Sequence, residues 1–146
     1  MNALIIYDSD YGNTEQIALA VGAILGVRVQ RAGDADAADL KGLDLLVIGS
    51  PTHGGFPTEG IHELLSASPL LRGTRVAAFD TRTSVTMFGY AAPKIGRRLA
   101  KKGAKLVVPP EGFLVEGIEG PLMNGELQRA ATWAKALAVN VEVLNG

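Results

Sequence analysis

YDSDYGNTEQIA, residues 7–18, decides how the rest of the chain is read, because within twelve residues an apolar run gives way to a polar turn and then to a helix. The run that leads into it, ALIIY at residues 3–7, is continuously apolar, the pattern of a strand covered on both faces. After the turn, Ile17, Val21, Ile24 and Leu25 recur at helical spacing until Gly26 ends the helix, and Asn13 with Gln16 gives a capping-box-like start. A tight polar turn between the carboxyl end of a strand and the amino end of a helix is where α/β proteins hold phosphate. The first backbone N–H groups of the helix lack partners there, and the helix dipole is positive. Gly12 lets the backbone close around an anion, while Ser9, Asn13 and Thr14 offer side-chain donors. The same residues also suit an ordinary turn in which Asn13 only caps the helix. Two other phosphate motifs are absent: no lysine occurs before Lys41, as a P-loop would need, and no G-x-G-x-x-G occurs anywhere.

The pattern continues along the chain. Residues 27–30 alternate like a strand near a sheet edge, and GDADAADLKG, residues 33–42, is a polar and partly helical connection. LLVI, residues 45–48, is a second fully apolar strand that stops at GSPTHGGFPT, residues 49–58. There Thr58 can cap a helix that turns Ile61, Leu64 and Leu65 inward. VAAF, residues 76–79, is the next buried strand, ending at Asp80. A helix is predicted over residues 90–102 with Ile95 and Leu99 inward and Gly103 as its stop. The last central strand, residues 105–108, is interrupted by Pro109-Pro110 and resumes at residues 113–115. The closing helix starts near Asn124 and is predicted to bury Leu127, Ala130, Ala131, Ala134, Leu137 and Ala138, with Trp133 on its flank. Strand and helix alternate with short connections, which gives a doubly wound α/β fold: a parallel sheet with helices on both faces. Ligands of such sheets bind outside the carboxyl ends of the strands.

The totals narrow the function. At 146 residues the chain has the size of one domain, and 47% hydrophobic with 20% charged residues is a compact globular composition. With no cysteine there is no disulfide, thiolate chemistry or cluster held by sulfur. The net charge of -1 argues against nucleic acid as a partner. MNALIIYDSD reaches acidic residues too soon for a signal peptide or a membrane span, so a cytoplasmic protein with no membrane association is expected.

Two further segments follow strands on the same edge as the first turn. SPTHGGFPT permits close backbone approach to a flat ligand, and His53 and Phe56 offer ring faces; a structural loop with a solvated histidine fits it too. DTRTSVTMFGY, residues 80–90, is long for such a connection and carries Met87, Phe88 and Tyr90 at or near the rim. Donors in the first loop and rings in the other two describe a phosphate-tailed aromatic ligand. A receiver domain phosphorylated on aspartate could use Asp8 and Asp10, yet that class needs an aspartate where this chain has Gly49-Ser50.

On these segments the sequence resembles the flavodoxin family. YDSDYGNTEQIA is similar to its phosphate loop, GSPTHGGFPT to the loop over the flavin, and FDTRT begins what looks like the loop on the ring's other side. The resemblance spans nearly the whole chain in the short form. It implies a single domain over residues 1–146 with a five-stranded parallel sheet in the order 2-1-3-4-5. It also implies noncovalent FMN and a carrier of electrons between redox partner proteins, a reductase and an acceptor. Carried over by position, Ser9, Asp10, Tyr11, Gly12, Asn13 and Thr14 would surround the phosphate, Pro51, Thr52, His53, Gly54 and Gly55 would line one side of the isoalloxazine, and Asp80, Thr81 and Arg82 would begin the other. Phe88 and Tyr90 are chosen as outer ring contacts by their chemistry.

Three residues depart from the family's usual pattern. Asp10 stands at a usually neutral position and is expected to point to solvent, Tyr11 replaces a threonine, and His53 stands where tryptophan is frequent. The protein would supply no acid, base or nucleophile, since a flavin does the redox chemistry. An FMN-dependent NAD(P)H or quinone reductase, and a non-flavin binding module, are the alternatives on the same fold. Lys94, Arg97, Arg98, Lys101, Lys102 and Lys105 form a basic cluster, read either as a solvated helix face or as a dock for an acidic partner.

Overall fold

A computed structural model describes residues 1–84 and 88–145. Among the described residues there are six strands: β1 (Ala3–Tyr7), β2 (Arg28–Arg31), β3 (Leu45–Pro51), β4 (Arg75–Arg82), β5 (Lys105–Leu106) and β6 (Glu111–Leu114). The same residues form four α-helices: α1 (Asn13–Leu25), α2 (Glu59–Ala67), α3 (Ala91–Lys101) and, after the last strand, α4 (Glu126–Asn145). All strands are parallel, in the order β2-β1-β3-β4-β5, with β6 also paired to β4. The expected fifth strand is thus two short pieces on one neighbour. Val107 still donates to the Val76 carbonyl at 3.0 Å, and Pro109-Pro110 then break the ladder because proline has no N–H to give it.

The continuous apolar runs are explained by burial on both faces. Leu4, Ile6, Leu46, Ile48, Val76 and Ala78 point to one side, where they meet Ile61 and Leu65 of α2 and Ile95 and Leu99 of α3. Their sequence neighbours Ile5, Tyr7, Leu45, Val47, Ala77 and Phe79 point to the other, toward Ile17 and Val21 of α1 and Trp133 and Leu137 of α4. Period-two alternation therefore builds two cores from one set of strands. Phe79, Phe113 and Trp133 meet edge to face with ring centroids 5.8–6.0 Å apart. Gly49 makes room for this cluster, because a Cβ there would lie 2.0 Å from Phe79 Cζ.

Several helix faces differ from the sequence reading. Ile24 and Leu127, expected inside, are exposed. The α4 stripe that packs is Ala130, Trp133, Ala134, Leu137 and Val141, so the indole belongs to the core and not to a flank. Ile24 lies in the last turn of α1 and Leu127 in the first turn of α4. The capping box at Asn13 is absent as well: the N-cap of α1 is Gly12, at φ 89° with no side-chain cap, and Asn13 is already helical. Thr58 does cap α2, accepting from the Ile61 N–H at 3.4 Å. The segment between β2 and β3 forms 3-10 turns at Ala32–Asp34 and Ala37–Leu40, the partly helical connection expected.

The outer side of β6 is closed by side chains of α4. The Glu126 carboxylate accepts the Leu114 N–H at 2.6 Å, and Arg129 donates to the Gly112 carbonyl and to Glu126 at 2.7 Å. Arg129 holds the Glu126 carboxyl below the usual carboxylate range, with the Leu114 N–H acting in the same direction.

Candidate functional site

A cleft of about 460 Å³ opens at the carboxyl ends of β1, β3 and β4, within the roughly 300–1,000 Å³ typical of small-molecule sites. It lies where the chain order reverses, β1 sending its next strand to one side and β3 lying on the other, the place where doubly wound sheets bind ligands.

Its floor is the first turn of α1. Gln16 N–H bonds back to the Gly12 carbonyl at 3.1 Å, which leaves the N–H groups of Asn13, Thr14 and Glu15 without a partner among the described residues. Gly12 shapes this turn: its left-handed backbone is one that β-carbon-bearing residues resist, and its N–H donates to Ser9 Oγ at 3.0 Å. The buried Thr14 hydroxyl bonds Thr81 Oγ1 at 2.7 Å, joining α1 to the end of β4 across the cleft's base. From the sheet edge, Arg31 braces the loop, donating to the Ser9 carbonyl at 3.0 Å and lying 3.6 Å from Asp8 and 3.5 Å from Glu15. The Tyr7 hydroxyl donates to Glu15, and its pKa is raised, first by burial and then by that carboxylate. Asp8 is occupied structurally, accepting from the Ser9 N–H at 2.9 Å and from the Thr58 hydroxyl at 2.6 Å.

One wall is the segment after β3. His53 and Phe56 exchange backbone hydrogen bonds at 2.8 and 2.9 Å around Gly54 and Gly55, whose φ values are 55° and 88°. Two successive positive φ values at the centre of a two-residue loop define a type I′ turn, which explains the pair of glycines. Thr52 holds this segment to its neighbours through its N–H to the Thr81 carbonyl (2.9 Å) and its hydroxyl, which accepts from Ala91 N–H (3.1 Å). His53 Nε2 lies 2.7 Å from Asp10 Oδ2, so the first and second loops are joined directly. Asp10 therefore does not point away to solvent as expected; its half-exposed carboxylate lines the cleft and is engaged by the imidazole.

The opposite wall departs further from expectation. β4 does not end at Asp80 but runs through Arg82, so Asp80 is a strand residue, fully buried and facing α3. Its carboxylate takes both Arg82 bonds, at 2.7 and 2.8 Å, and the Ala92 N–H at 2.8 Å. Arg82 lies over the Tyr90 ring, 3.4 Å from its centroid, so that ring is covered by a guanidinium. Asp80 and Tyr90 thus support the wall from behind, whereas Thr81, Arg82 and Phe88 line the cleft itself. Gly12 shapes the floor without lining it; Ser9, Asp10, Tyr11, Asn13, Thr14 and residues 51–55 all line it as expected. Met87 lies outside the described residues.

Sequence reasoning missed Thr83, Val115 and Ile118 in the lining and Arg31 behind it. Ile118, 81% exposed, comes from the segment after β6, which Asn13 secures by donating to the Glu119 carbonyl at 3.2 Å. An isoleucine between Gly117 and Gly120 in an otherwise polar loop was the available signal.

Helix N–H groups beneath a cleft walled by imidazole, phenyl and aliphatic side chains place this chain in the class of doubly wound α/β proteins with a pocket at the strand-order switch point. Comparison with known proteins narrows this. Residues 5–133 match the family described as Flavodoxin. A flavodoxin of Nitratidesulfovibrio vulgaris is 34% identical over 119 residues, which cover 73% of this chain and 80% of that protein. Among solved structures, oxidised flavodoxin 2 of Bacillus cereus superposes with a TM-score of 0.82 at 27% identity, covering 95% of this chain and 99% of that one. Oxidised flavodoxin 1 of the same organism superposes with a TM-score of 0.83 at 18% identity over 95% and 98% of the two chains, a likeness of fold. The chain belongs to the flavodoxin family, whose members are FMN-containing electron carriers.

Proposed function

We propose that this chain binds FMN in the cleft and carries electrons between redox proteins in the cytoplasm. The observation that carries the reading is the set of unpartnered N–H groups at Asn13, Thr14 and Glu15, presented to the cleft by a left-handed Gly12. These donors suit a phosphate dianion and do nothing for an uncharged ligand of the same shape. The residues above them suit the rest of the molecule: His53 and Phe88 offer flat faces, and the type I′ turn at Gly54-Gly55 brings backbone rather than side chain to the cleft.

When bound, FMN supplies the electron-accepting and electron-donating chemistry. The chain's own part is to bind and to hold still. Thr14 with Thr81 fixes the distance between floor and wall, Arg31 offsets the carboxylates of Asp8 and Glu15 behind the phosphate position, and Asp80 locks Arg82 by a bidentate pair. That pair is desolvated on the aspartate side, where it serves geometry more than net stability.

The test is the visible spectrum of the purified protein, followed by FMN titration of the stripped chain. One FMN per chain, reduced by dithionite but not by NAD(P)H alone, is expected. Rapid reduction by NAD(P)H without a second protein would assign it to the reductases on this fold. A colourless chain indifferent to added FMN would remove the reading altogether.

A further inference from the structure

The cleft's rim continues into a second groove of about 690 Å³ between α2 and α3. Phe56, Pro57, Glu59 and His62 line it on one side and Lys94, Arg97, Arg98 and Lys101 on the other. Positions 94, 97, 98 and 101 share one face of α3, opposite the buried Ala91, Ala92, Ile95 and Leu99. This face thus sets four cationic groups against a single carboxylate, Glu59, in a chain whose net charge is -1. Among the described residues none of the four forms an ion pair. Arg98 bonds His62 Nδ1 at 2.8 Å and Ser66 Oγ at 2.9 Å, while Lys94 donates to the carbonyls of Gly55 and Phe88 at 2.5 and 2.8 Å.

Lys94 also connects the groove to the cleft. The two carbonyls it holds belong to residues lining the cleft, and its ammonium lies 3.7 Å from the centroid of the Phe56 ring. Phe56 is 58% and Phe88 67% exposed, so both residues reach the surface where groove and cleft meet. Aromatic anchors beside arginine and lysine, at the mouth of a redox site, have the make-up of a transient protein interface.

We propose that this face docks a redox protein that presents a carboxylate-rich surface around its own electron-transfer centre. The proposal rests on the FMN reading of the cleft and adds the partner's chemistry and the direction of its approach. Uncompensated cations on α3 attract and orient an acidic surface, and the rings of Phe56 and Phe88 form the dry contact closest to the cleft. FMN held in the cleft would exchange one electron with the partner's centre, any proton on the flavin going to or coming from solvent, and neither polypeptide would make or break a bond.

The test uses the isotopically labelled, FMN-loaded protein titrated by NMR with a strongly acidic [2Fe–2S] ferredoxin, and separately with a strongly basic c-type cytochrome. Shifts are expected at Phe56, Phe88 and along α3 with the ferredoxin. Raising salt from about 20 mM to about 0.3 M shortens the screening length from roughly 20 Å to roughly 6 Å and should weaken that binding about tenfold or more. Arg97→Glu with Lys101→Glu, both exposed and without side-chain hydrogen bonds among the described residues, should abolish the shifts, and the paired glutamine variant should weaken them less. Preference for the cytochrome, ferredoxin shifts that bypass α3, unchanged binding in the double variant, or tighter binding of a single-stranded oligonucleotide to this face would each overturn the proposal. FMN uptake, read from the visible spectrum beforehand, tests the cleft separately. A chain that takes no FMN refutes that reading, and the same titration of the unloaded protein still decides whether α3 is an acidic-partner dock.

Discussion

Replacing FMN by riboflavin removes only the phosphate, so the difference in affinity measures the floor of the cleft. Three backbone N–H groups, at Asn13, Thr14 and Glu15, have no partner among the described residues. A charge-assisted hydrogen bond contributes roughly 1.5 kcal/mol at the low end of its range, so three give about 4.5 kcal/mol. The helix dipole adds about 0.3–1 kcal/mol. Against this stand three nearby carboxylates, but Asp8 and Glu15 face Arg31 and Asp10 faces His53, which reduces their repulsion of the anion. A net of about 4 kcal/mol corresponds to roughly a thousandfold weaker binding of riboflavin. Quenching of flavin fluorescence, titrated with each flavin at the same ionic strength, measures the ratio. Affinities within tenfold of each other would show that the first turn of α1 does not bind phosphate.

The remaining expectations concern single residues. Asp10→Asn should change FMN affinity by less than about tenfold, because an exposed carboxylate–imidazole pair is worth at most about 1 kcal/mol; a large gain, read by the same titration, would mean the carboxylate faces the phosphate instead. Gly54→Val places a β-branched residue at φ 55° in the type I′ turn and should cost roughly 1–3 kcal/mol of stability, seen in urea unfolding, with weaker FMN binding beside it; an unchanged midpoint would mean the turn readily rearranges. Glu126→Gln should lose about 1–2 kcal/mol near neutral pH, since the carboxylate serves both Leu114 N–H and Arg129. The folded pKa of Glu126 lies below the ordinary value of 4.5, so its contribution is complete above that pH and drains as pH falls through the depressed value. Parent and variant should therefore converge in acid, and a gap independent of pH would assign the loss to shape rather than charge.

The strands were legible because burial on both faces leaves an unbroken apolar run, as in Leu45 to Ile48 or Val76 to Phe79, that few other structures produce. The loops were legible because glycine and small polar residues cluster where strands end. Roles within the wall were not. Asp80 looks like a loop residue until β4 is seen to reach Arg82, and strand alternation then turns it toward α3 while Thr81 turns toward Thr14. A phenol beside a cleft reads as a ring contact, and nothing in the sequence says that Arg82 already covers Tyr90. Arg31 and Ile118 lie far along the chain from the loops they complete, and a pairing of that kind has no local signature.

The closure of β6 by Glu126 and Arg129 reaches beyond the stability of one helix. An open strand edge is a template on which another chain can grow a sheet. Here the edge is occupied by a carboxylate on the Leu114 N–H and a guanidinium on the Gly112 carbonyl. The stub of β5 stops at two prolines, and β2 at the far side is four residues long with an arginine at each end. Each border of the sheet thus refuses a further strand by a different device, and acid, which neutralises Glu126, weakens the cover on the Leu114 N–H while the guanidinium remains on the Gly112 carbonyl.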